Sequence, residues 1–465
     1  MMDLSLLIDG RLVAGDLALD VINPATEQVI ATAPAASRAQ LDQAVAAAGR
    51  AFPAWRAMPL AQRQAALAKA AELTRANAQE LAHLLSREQG KPLADAQGEL
   101  ALCAGLFDYH AALAPAVLTP SAPASGRAQL RREPLGVVGA IVPWNYPIVL
   151  MGFKLPAALL TGNTVVLKPA PTTPLTTLRW AALVKDAFPP GVINVLGDAG
   201  ELGPMLTSHP GVRKISFTGS TATGRAVMRN AADTLKRLTL ELGGNDPAIV
   251  LADANIGQIA PQLFRSAFMN NGQTCAAIKR VYVHESLHDR LVGALAALAQ
   301  DTQVGEGLQP GVKLGPLQNR RQFDHINALL ADTRARGRIV TGGDGLDRPG
   351  YFIRPAIVCD VKDGDRIVDE EQFGPVLPVI RYADVEAVIE QVNQSPYGLG
   401  ASVWSSDREA ALGIAHRIDA GSVWVNTHFV VSPDIPFGGA RQSGIGAELG
   451  EQGLAEFTQL KVLVG

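Results

Sequence analysis

An α/β fold with two doubly wound parallel-sheet domains is predicted from three features of the sequence. Short, continuous apolar segments such as 164–168 (TVVLK) alternate with longer segments of helical periodicity. Strands that are apolar throughout are typical of parallel sheets covered by helices on both faces. The chain of 465 residues, 48% hydrophobic and 18% charged, is also long enough for two or three domains with large cores.

The first series of elements extends to about residue 242. Two alanine-rich segments have helical periodicity, and Pro53 and Pro59 are expected to separate them. A connector rich in Pro, Ala and Ser follows at 113–125. The predicted helices are 38–50, 61–85 and 225–235, and the predicted strands are 136–142, 164–168, 192–196 and 213–217.

The second series has the same alternating character, which indicates a second α/β domain. The boundary between the two domains is predicted near Gly243 and Gly244. The predicted strands of this series are 248–251 and 280–284, and its predicted helices are 259–269, 286–300 and 320–336.

The composition argues against several classes of protein. A net charge of −3 lacks the basic excess of a general nucleic-acid binder. The three cysteines provide no paired disulfide framework, as expected of a cytoplasmic protein, and the N-terminal residues are neither basic nor apolar enough for a secretory signal. Segment 136–153 carries no charge, but Pro143, Asn145 and Pro147 interrupt it. A buried strand, a turn and a buried helix are therefore predicted there, and no membrane span.

Three side chains stand in settings that favour chemistry. Cys275 lies in the polar stretch NNGQTCAAIKR, whereas Cys103 and Cys359 lie in apolar or strand-like settings. Asn145 stands between two prolines, and a buried amide can donate to an oxyanion. Glu241 precedes two glycines after an apolar strand, where a carboxylate can serve as a tuned general base. An inert thiol, a satisfied core amide and a solvated carboxylate are the structural alternatives for each residue taken alone.

The segment FTGSTATGR, residues 217–225, follows a predicted strand and opens a helix. Glycines there allow backbone N–H groups to approach a phosphate at the helix N-terminus. Arg225 and Ala226 replace the Lys and Ser/Thr of a P-loop, and the G-x-G-x-x-G fingerprint is absent. The turn favours a nucleotide-type ligand, with a plain strand-to-helix turn as the alternative.

Taken together, the motifs resemble the aldehyde dehydrogenase superfamily along nearly the whole chain, from about residue 8 to 464. The resemblance implies a NAD(P)-binding domain of residues 1–110 and 134–242, a catalytic domain of 243–443, and a small β oligomerisation module of 111–133 and 444–465. The motifs that carry it are PWNYP at Pro143, KPA at Lys168, FTGS at Phe217, ELGG at Glu241, GQTC at Gly272, EEQFGP at Glu370, and PFGG with SGIG at 436–446.

The resemblance also implies roles for individual residues. Cys275 would be the nucleophile, reachable because the glycine turn leaves room for the substrate carbon. Asn145 and the backbone N–H of Cys275 would form an oxyanion hole, and Glu241 would activate the water that releases the acid from a thioester. No metal site is implied. The implied cofactor-binding positions are Trp144, Lys168, Phe217, Gly219, Ser220, Gly224, Leu242, Glu371 and Phe373.

The implied substrate is an uncharged aldehyde, apolar or aromatic, that is oxidised to its carboxylic acid with NAD. The positions that match the family's access tunnel are aliphatic or aromatic, and His428 is the one ionisable neighbour identified; core packing is the alternative explanation of the same residues. The tunnel positions are Tyr146, Leu150, Phe153, Phe268, Phe429, Val431 and Phe437.

Two positions depart from the family's pattern. Pro171 stands in the run KPAP where the family often has a glutamate on the ribose hydroxyls of the cofactor, so NADP stays possible. Asn245 follows ELGG where the family often has a lysine, and the sequence alone assigns it no role.

Other functions compete with this one. A cysteine hydrolase or thioesterase would use Cys275, Asn145 and Glu241 without nicotinamide, and the cofactor positions argue against it. A CoA-acylating semialdehyde dehydrogenase would transfer the acyl group to CoA, and Glu241 favours water instead. A crystallin-like structural protein would need no intact nucleophile. By resemblance, a β-hairpin at 126–132 and a strand at 460–464 imply a homodimer or homotetramer.

Overall fold

Two large sheets organise the fold, which a computed structural model describes for residues 4–464. The predicted α/β class is confirmed, because both sheets consist mainly of parallel strands joined through helices. The domain boundaries stay predictions, and the predicted domain ends at residues 1–3 and 465 lie outside the described residues.

The strands are numbered in chain order. They are β1 (Leu6–Ile8), β2 (Arg11–Val13), β3 (Leu17–Ile22), β4 (Val29–Ala35), β5 (Gln129–Pro134), β6 (Val137–Ile141), β7 (Thr164–Lys168), β8 (Ile193–Val195), β9 (Lys214–Thr218), β10 (Arg237–Glu241), β11 (Asp246–Val250), β12 (Ile278–His284), β13 (Arg338–Thr341), β14 (Ala356–Cys359), β15 (Val376–Tyr382), β16 (Tyr397–Gly398), β17 (Gly400–Trp404), β18 (Ser422–Val425), β19 (Ala440–Arg441), β20 (Gly444–Ile445) and β21 (Thr458–Leu463).

The α-helices cover the faces of these sheets. They are α1 (Arg38–Ala57), α2 (Leu60–Ala76), α3 (Ala78–Gln89), α4 (Leu93–Ala112), α5 (Pro147–Leu160), α6 (Leu175–Val184), α7 (Leu202–Ser208), α8 (Thr221–Ala231), α9 (Ile256–Phe268), α10 (His288–Gln300), α11 (Arg320–Arg336), α12 (Arg366–Asp369), α13 (Val385–Gln394), α14 (Arg408–Ala415) and α15 (Gly450–Ala455).

The first large sheet has the strand order β2-β1-β8-β7-β6-β9-β10-β20. Its five central strands, β8 to β10, are parallel, and its edges are antiparallel. The chain runs outward from β6 through β7 to β8 and then returns to the other side of β6 with β9 and β10. This reversal is a topological switch point, and ligands of doubly wound sheets bind there, outside the carboxyl ends of the strands.

The second large sheet has the order β13-β14-β15-β12-β11-β17-β18 and is parallel except for β13. Strand β10 ends at Glu241 and β11 begins at Asp246, so the carboxyl edge of the first sheet faces the start of the second. Cys275 lies at the same place because it shortly precedes β12, which runs parallel to β11. The two sheets therefore bring the predicted site residues to their common boundary.

The uncharged segment 136–153 forms β6, a turn and the start of the buried helix α5, as predicted. Pro147 is at the first turn of α5, where a missing backbone N–H costs no helical hydrogen bond. Within residues 4–464, none of the helices combines the length and the hydropathy that crossing a bilayer requires.

The predicted elements recur with small shifts at their ends, but two helical predictions were wrong. Pro53 lies inside α1 and does not end it, because Trp55 is buried and donates from Nε1 to a carbonyl of α5 at 3.2 Å. This packing holds the helix past the proline. The predicted helix 61–85 is divided at Asn77, whose Nδ2 donates to the carbonyl of Leu73 at 2.8 Å and so competes with helix continuation.

Strands β5 and β21 form a separate two-stranded antiparallel sheet where the oligomerisation module was predicted. The segment predicted as a hairpin contributes β5 and one isolated bridge, between Ser121 and Leu130. Leu460, Val462 and Leu463 on β21 are exposed. A two-stranded ribbon with exposed apolar side chains is marginal in water by itself.

Candidate active site

Cys275 follows a left-handed turn between α9 and β12. Asn270, Asn271 and Gly272 have φ angles of 49°, 57° and 74°. Glycine adopts this region freely, and asparagine adopts it more readily than most residues, which explains the sequence NNG. Consecutive residues in this region store strain, which is common beside functional groups. The thiol that follows is half-buried and packs against the core of the first sheet.

The close packing of Gly272 against the backbone of Gly374 explains the glycine of this turn, and the expected access of a substrate to Cys275 stays a prediction. A Cβ at Gly272 would lie 2.1 Å from the carbonyl oxygen of Gly374. Such a close approach of two backbones leaves no space for any side chain. The turn is held against the segment that carries Phe373.

Asn145 is tied to the Cys275 turn through both its side chain and its backbone. Its Nδ2 donates to the carbonyl oxygen of Gln273 at 2.9 Å, and its own carbonyl accepts from Nδ2 of Asn270 at 2.9 Å. An amide nitrogen carries two protons. Within the described chain, Gln273 is its one acceptor, so the second proton of Nδ2 has no protein acceptor.

A buried ion pair holds the backbone of Asn145 and the start of α5. Lys91 donates from Nζ to the carbonyl of Asn145 at 3.0 Å and pairs with Glu99. Glu99 Oε1 also accepts the N–H groups of Ile148 and Val149 at the start of α5. Because both charged side chains are buried, losing either would leave an unpaired charge in the interior. Lys91 and Glu99 thus hold the backbone of Asn145 and the start of α5, and neither residue was predicted from the sequence.

Glu241 is a buried carboxylate, and neither of its oxygens has a hydrogen-bond partner among residues 4–464. Burial and the charge of Glu448 raise its pKa well above the ordinary value, and the charge of Lys154 opposes this rise. A buried polar group without a partner is rare in proteins and marks a candidate site for water or substrate. A carboxylate with raised proton affinity is suited to general-base chemistry.

Lys154 and Glu448 form a buried ion pair next to Glu241. Lys154 also donates from Nζ to Thr218 Oγ1 at 2.6 Å, at the end of β9. Neither residue was predicted from the sequence. The available signal was a lysine within the otherwise apolar helix α5, since a buried lysine requires a partner.

The Cys275 thiol is protonated in the resting protein at neutral pH. Burial raises its pKa to about 12, and the charges of Glu241, Glu371 and Asp246 contribute to the rise. The nucleophilic form of cysteine is the thiolate. The proton must therefore leave before the sulfur can attack.

We expect alkylation of Cys275 by iodoacetamide in the cofactor-free protein to accelerate about tenfold per pH unit from about pH 7 to pH 9, because the thiolate fraction rises by that factor below the pKa. Peptide mass spectrometry measures the rate, and the fully buried Cys103 is the internal control that stays unmodified. A rate already independent of pH near neutrality would contradict the protonated resting thiol.

The predicted cofactor residues of the first sheet lie at the carboxyl ends of neighbouring strands. Lys168 ends β7 and is 2.8 Å from Oδ2 of Asp198, beyond the end of β8. Gly219 follows β9, and Ser220 is the N-cap of α8, its hydroxyl accepting a backbone N–H of the first turn. This cap starts α8 earlier than predicted.

Packing accounts for the two glycines of the FTGSTATGR turn. A Cβ at Gly224 would lie 2.5 Å from Cδ2 of Leu242, and a Cβ at Gly219 would lie 2.5 Å from the ring of Phe217. The structure thus places these four residues together at the ends of β9 and β10. Contact with a pyrophosphate stays a prediction.

Three further cofactor positions, which come from the motifs PWNYP and EEQFGP, lie together at the sheet boundary. Glu371 Oε1 accepts the N–H of Gly244 at 3.0 Å, and burial raises the pKa of Glu371 to about 7. The ring of Phe373 stands edge-on to that of Trp144, with centroids 5.3 Å apart. The motifs PWNYP, ELGG and EEQFGP are therefore in contact.

Asn245, which had no role from sequence, anchors the segment before Glu371. Its Nδ2 donates to the carbonyls of Val368 at 2.8 Å and Asp369 at 3.2 Å. Its own carbonyl accepts from Nε of Arg280 at 3.0 Å. The residue thus joins the start of the second sheet to the loop of a predicted cofactor contact.

Four predicted tunnel residues belong, like Cys275, to the partly buried residues that pack against the core of the first sheet. Tyr146, Phe153, Phe429 and Val431 are half-buried and pack against the same apolar core as the thiol. Leu150 and Phe437 belong to that core as buried members. Half-buried aromatic side chains are typical of pockets for apolar ligands, and a tunnel that leads to Cys275 stays a prediction.

Phe268 lies apart from these residues. It is buried in the core of the second sheet, with its ring 4.6 Å from that of Phe264. Its successor Met269 is half-buried where α9 ends. The helical periodicity of α9 could have predicted this position from the sequence, because it places Phe268 on the face of the helix that packs against the second sheet.

His428 adds no charge to this region. Burial lowers its pKa to about 3, so the imidazole is neutral near pH 7. Its Nε2 donates to the carbonyl of Ala276 at 2.9 Å, and its Nδ1 lies 2.9 Å from Ser402 Oγ. His428 therefore links the residue after Cys275 to β17 through two hydrogen bonds.

Comparison with known proteins gives consistent matches. The model of the aldehyde dehydrogenase family matches residues 13–463. A mitochondrial aldehyde dehydrogenase of Leishmania tarentolae is 41% identical over 98% of this chain and 94% of its own, and phenylacetaldehyde dehydrogenase of Pseudomonas fluorescens is 39% identical over 99% and 95%. A solved structure of Staphylococcus aureus betaine aldehyde dehydrogenase in complex with NAD+ superposes with a TM-score of 0.96 at 32% identity, covering 99% of this chain and 94% of that one.

Proposed function

This chain belongs to the aldehyde dehydrogenase family, whose members are NAD(P)-dependent enzymes, and from that premise we propose that it oxidises an uncharged, apolar or aromatic aldehyde to the carboxylic acid through a thioester on Cys275. One observation carries the proposal. The thiol of Cys275, the amide of Asn145 and the unpartnered carboxylate of Glu241 meet at the boundary of the two sheets. Formation of reduced nicotinamide from an aldehyde and NAD+, followed by absorbance, is the direct test.

Cys275 is the nucleophile of this proposal. Once deprotonated, its Sγ forms a bond to the aldehyde carbon, and the carbonyl oxygen becomes an oxyanion. The N–H group of Asn145 that has no protein acceptor, together with the backbone N–H of Cys275, donates to that oxyanion. Covalent capture divides a difficult oxidation into two easier steps. The tetrahedral adduct becomes a thioester only when its carbon gives up a hydride, for which a bound nicotinamide would be the acceptor.

Glu241 is the base of the second step. Its carboxylate removes a proton from a water molecule, and the resulting hydroxide attacks the thioester carbon. The C–S bond then breaks, which releases the acid and leaves Cys275 as its thiolate, while the proton taken from water stays on Glu241. Since both oxygens of Glu241 are without partners in the described structure, they are free to hold that water.

The residues at the carboxyl edge of the first sheet fit a nicotinamide dinucleotide. Lys168 and the turn at Gly219 and Ser220 would hold its ribose and phosphates, and Glu371 with Phe373 would hold the nicotinamide end. The buried ammonium beside a carboxylate supports this fit, since such a pair both donates to and accepts from hydroxyl groups. When bound, the nicotinamide supplies the hydride acceptor. The residues of the chain bind and orient the reactants and move the protons.

The tunnel residues favour a substrate without charge. Tyr146, Phe153 and Phe429 offer apolar surface, and the neutral His428 offers no cation to pair a substrate carboxylate. Burying an unpaired carboxylate is costly, whereas each buried methylene is favourable. The relative named phenylacetaldehyde dehydrogenase is consistent with this class.

We therefore expect kcat/KM to rise with the apolar area of the aldehyde, by up to about fourfold per added methylene. Hexanal and benzaldehyde should be better substrates than succinic semialdehyde. The measurement is steady-state oxidation over a series of aliphatic, aromatic and charged aldehydes.

Two variants test whether the preference for apolar aldehydes depends on the proposed tunnel residues. Phe153→Ala should flatten the dependence on chain length, because Phe153 is a proposed tunnel residue that packs against the same apolar core as Cys275. Phe323→Ala is the matched control: its side chain is also half-buried, but it packs on Tyr351 in the second domain and should leave the dependence unchanged. Faster oxidation of succinic semialdehyde than of hexanal would overturn the substrate class.

The exposed ribbon of β5 and β21 supports a homo-oligomeric assembly. Leu460, Val462 and Leu463 would be covered by a second copy of the chain. Whether the assembly is a dimer or a tetramer is measured by analytical ultracentrifugation.

A further inference from the structure

A buried lysine–carboxylate pair lies at the edge of the first sheet. Lys168 Nζ is 2.8 Å from Asp198 Oδ2, and the two side chains are 7% and 4% exposed. Lys168 also donates to the carbonyl of Pro169 at 3.2 Å. Its ammonium group is therefore balanced by one specific carboxylate.

The topology places this pair where ligands of such sheets bind. Lys168 is the last residue of β7, and Asp198 follows the end of β8 at Val195. The two strands are parallel neighbours, so both residues are at the carboxyl edge. Crevices outside that edge bind dinucleotides in doubly wound sheets, and an acidic residue there accepts the ribose hydroxyls of NAD.

Asp198 is held in a fixed orientation and in its charged form. Its Oδ1 accepts the N–H groups of Gly200 at 2.7 Å and Leu202 at 2.9 Å, while Oδ2 faces Lys168. Burial alone would raise its pKa, but Lys168 and these N–H groups outweigh that effect and lower it. One oxygen is used by the backbone, and the other keeps acceptor capacity beside the ammonium group.

We propose that Asp198 supplies the carboxylate that accepts the adenosine ribose hydroxyls, in place of the glutamate that Pro171 has displaced, and that the chain thereby selects NAD over NADP. The proposal rests on the proposed function of this site. A proline side chain has no acceptor, so position 171 cannot serve. The 2′-phosphate of NADP would bring further negative charge close to the carboxylate of Asp198. Lys168 could not neutralise that charge fully, because its ammonium group is already paired with Asp198.

The experiment is a titration of NADH and NADPH by isothermal calorimetry, without aldehyde. The wild-type protein should bind NADH at least about tenfold more tightly than NADPH. Asp198→Asn keeps the shape and one oxygen but removes the charge. It should weaken NADH binding by about tenfold and bring the two dissociation constants close together.

Two further variants make the test specific. Asp253→Asn is the control, because Asp253 also accepts a backbone N–H, from Asp407 at 2.9 Å, but lies in the turn after β11 of the second sheet. Its ratio of NADH to NADPH dissociation constants should equal that of the wild type. Adding Pro171→Glu to Asp198→Asn returns a carboxylate to the family's usual place and should restore the preference for NADH. Circular dichroism confirms that each variant is folded.

The outcomes separate the two levels of the proposal. An unchanged NADH-to-NADPH ratio in folded Asp198→Asn, or a wild-type protein that binds NADPH as tightly as NADH, would overturn the role of Asp198. If Asp198→Asn fails to fold, the proposal is tested by the ratio of NADH to NADPH dissociation constants in the wild type and in the Pro171→Glu single variant. NADPH is expected to be the weaker ligand of both proteins. Absence of binding to either nucleotide would instead contradict the proposed function.

Discussion

Cys275→Ala is expected to lower aldehyde oxidation by more than about 10⁴-fold while the protein still binds NADH. The reason is chemical, because an alanine side chain cannot form a bond to the aldehyde carbon. The half-buried thiol follows a turn that Gly272 and Gly374 hold in place, and removing one sulfur atom leaves these backbone contacts unchanged. Steady-state rates and calorimetric NADH titration measure the two quantities.

The matched control is Cys103→Ala. Cys103 is fully buried on α4 beside Gly152, so its loss should affect stability and not the chemistry. Equal losses of activity in both cysteine variants, or turnover near the wild-type level in Cys275→Ala, would refute the assignment of the nucleophile.

Glu241→Gln is expected to lower kcat by about 10²–10⁴-fold, the usual contribution of a general base. Glutamine keeps the shape of the side chain but cannot take a proton from water. Formation of the thioester should survive, because it depends on Cys275 and Asn145. The wild-type kcat should also fall with decreasing pH through the raised pKa of Glu241, since the base works only when unprotonated.

Glu88→Gln is the matched control for that variant. Glu88 is another buried carboxylate whose pKa burial raises, to about 7, but it accepts the N–H groups of Leu175 and Thr176 at the start of α6. Its substitution should lower thermal stability but leave unchanged the fall of kcat with decreasing pH. If Glu88→Gln and Glu241→Gln changed kcat alike, the effect of Glu241 would be structural.

Much of the fold was predictable because local pattern and tertiary structure agree. Strand 164–168 and helix 320–336 match β7 and α11 without any shift. Local pattern failed at Pro53, where burial of Trp55 outweighs the cost of a proline within α1. Propensity describes a segment by itself, and a buried contact from another element can reverse it.

The residues of the candidate site that lie within sequence motifs could be predicted. The residues that become neighbours only in the folded chain could not. Cys275, Asn145 and Glu241 stood out by their local settings, but their roles came from the resemblance to the family and stay predictions. Lys154 and Glu448 are nearly 300 positions apart and become partners only through the packing of α5 against β9 and the C-terminal segment. Asp198 was missed for the same reason, since its significance depends on its distance to Lys168.

The central claim is that a thioester forms on Cys275 and that water, activated by Glu241, removes it. Rapid mixing of Glu241→Gln with NAD+ and hexanal, followed by acid quench and intact-mass analysis, tests this most directly. A burst of reduced cofactor near one per active site is expected, together with a mass increase of one acyl group located on the Cys275 peptide. Loss of the burst together with kcat would contradict it, because Glu241 would then act in forming the thiolate and not in hydrolysing the thioester.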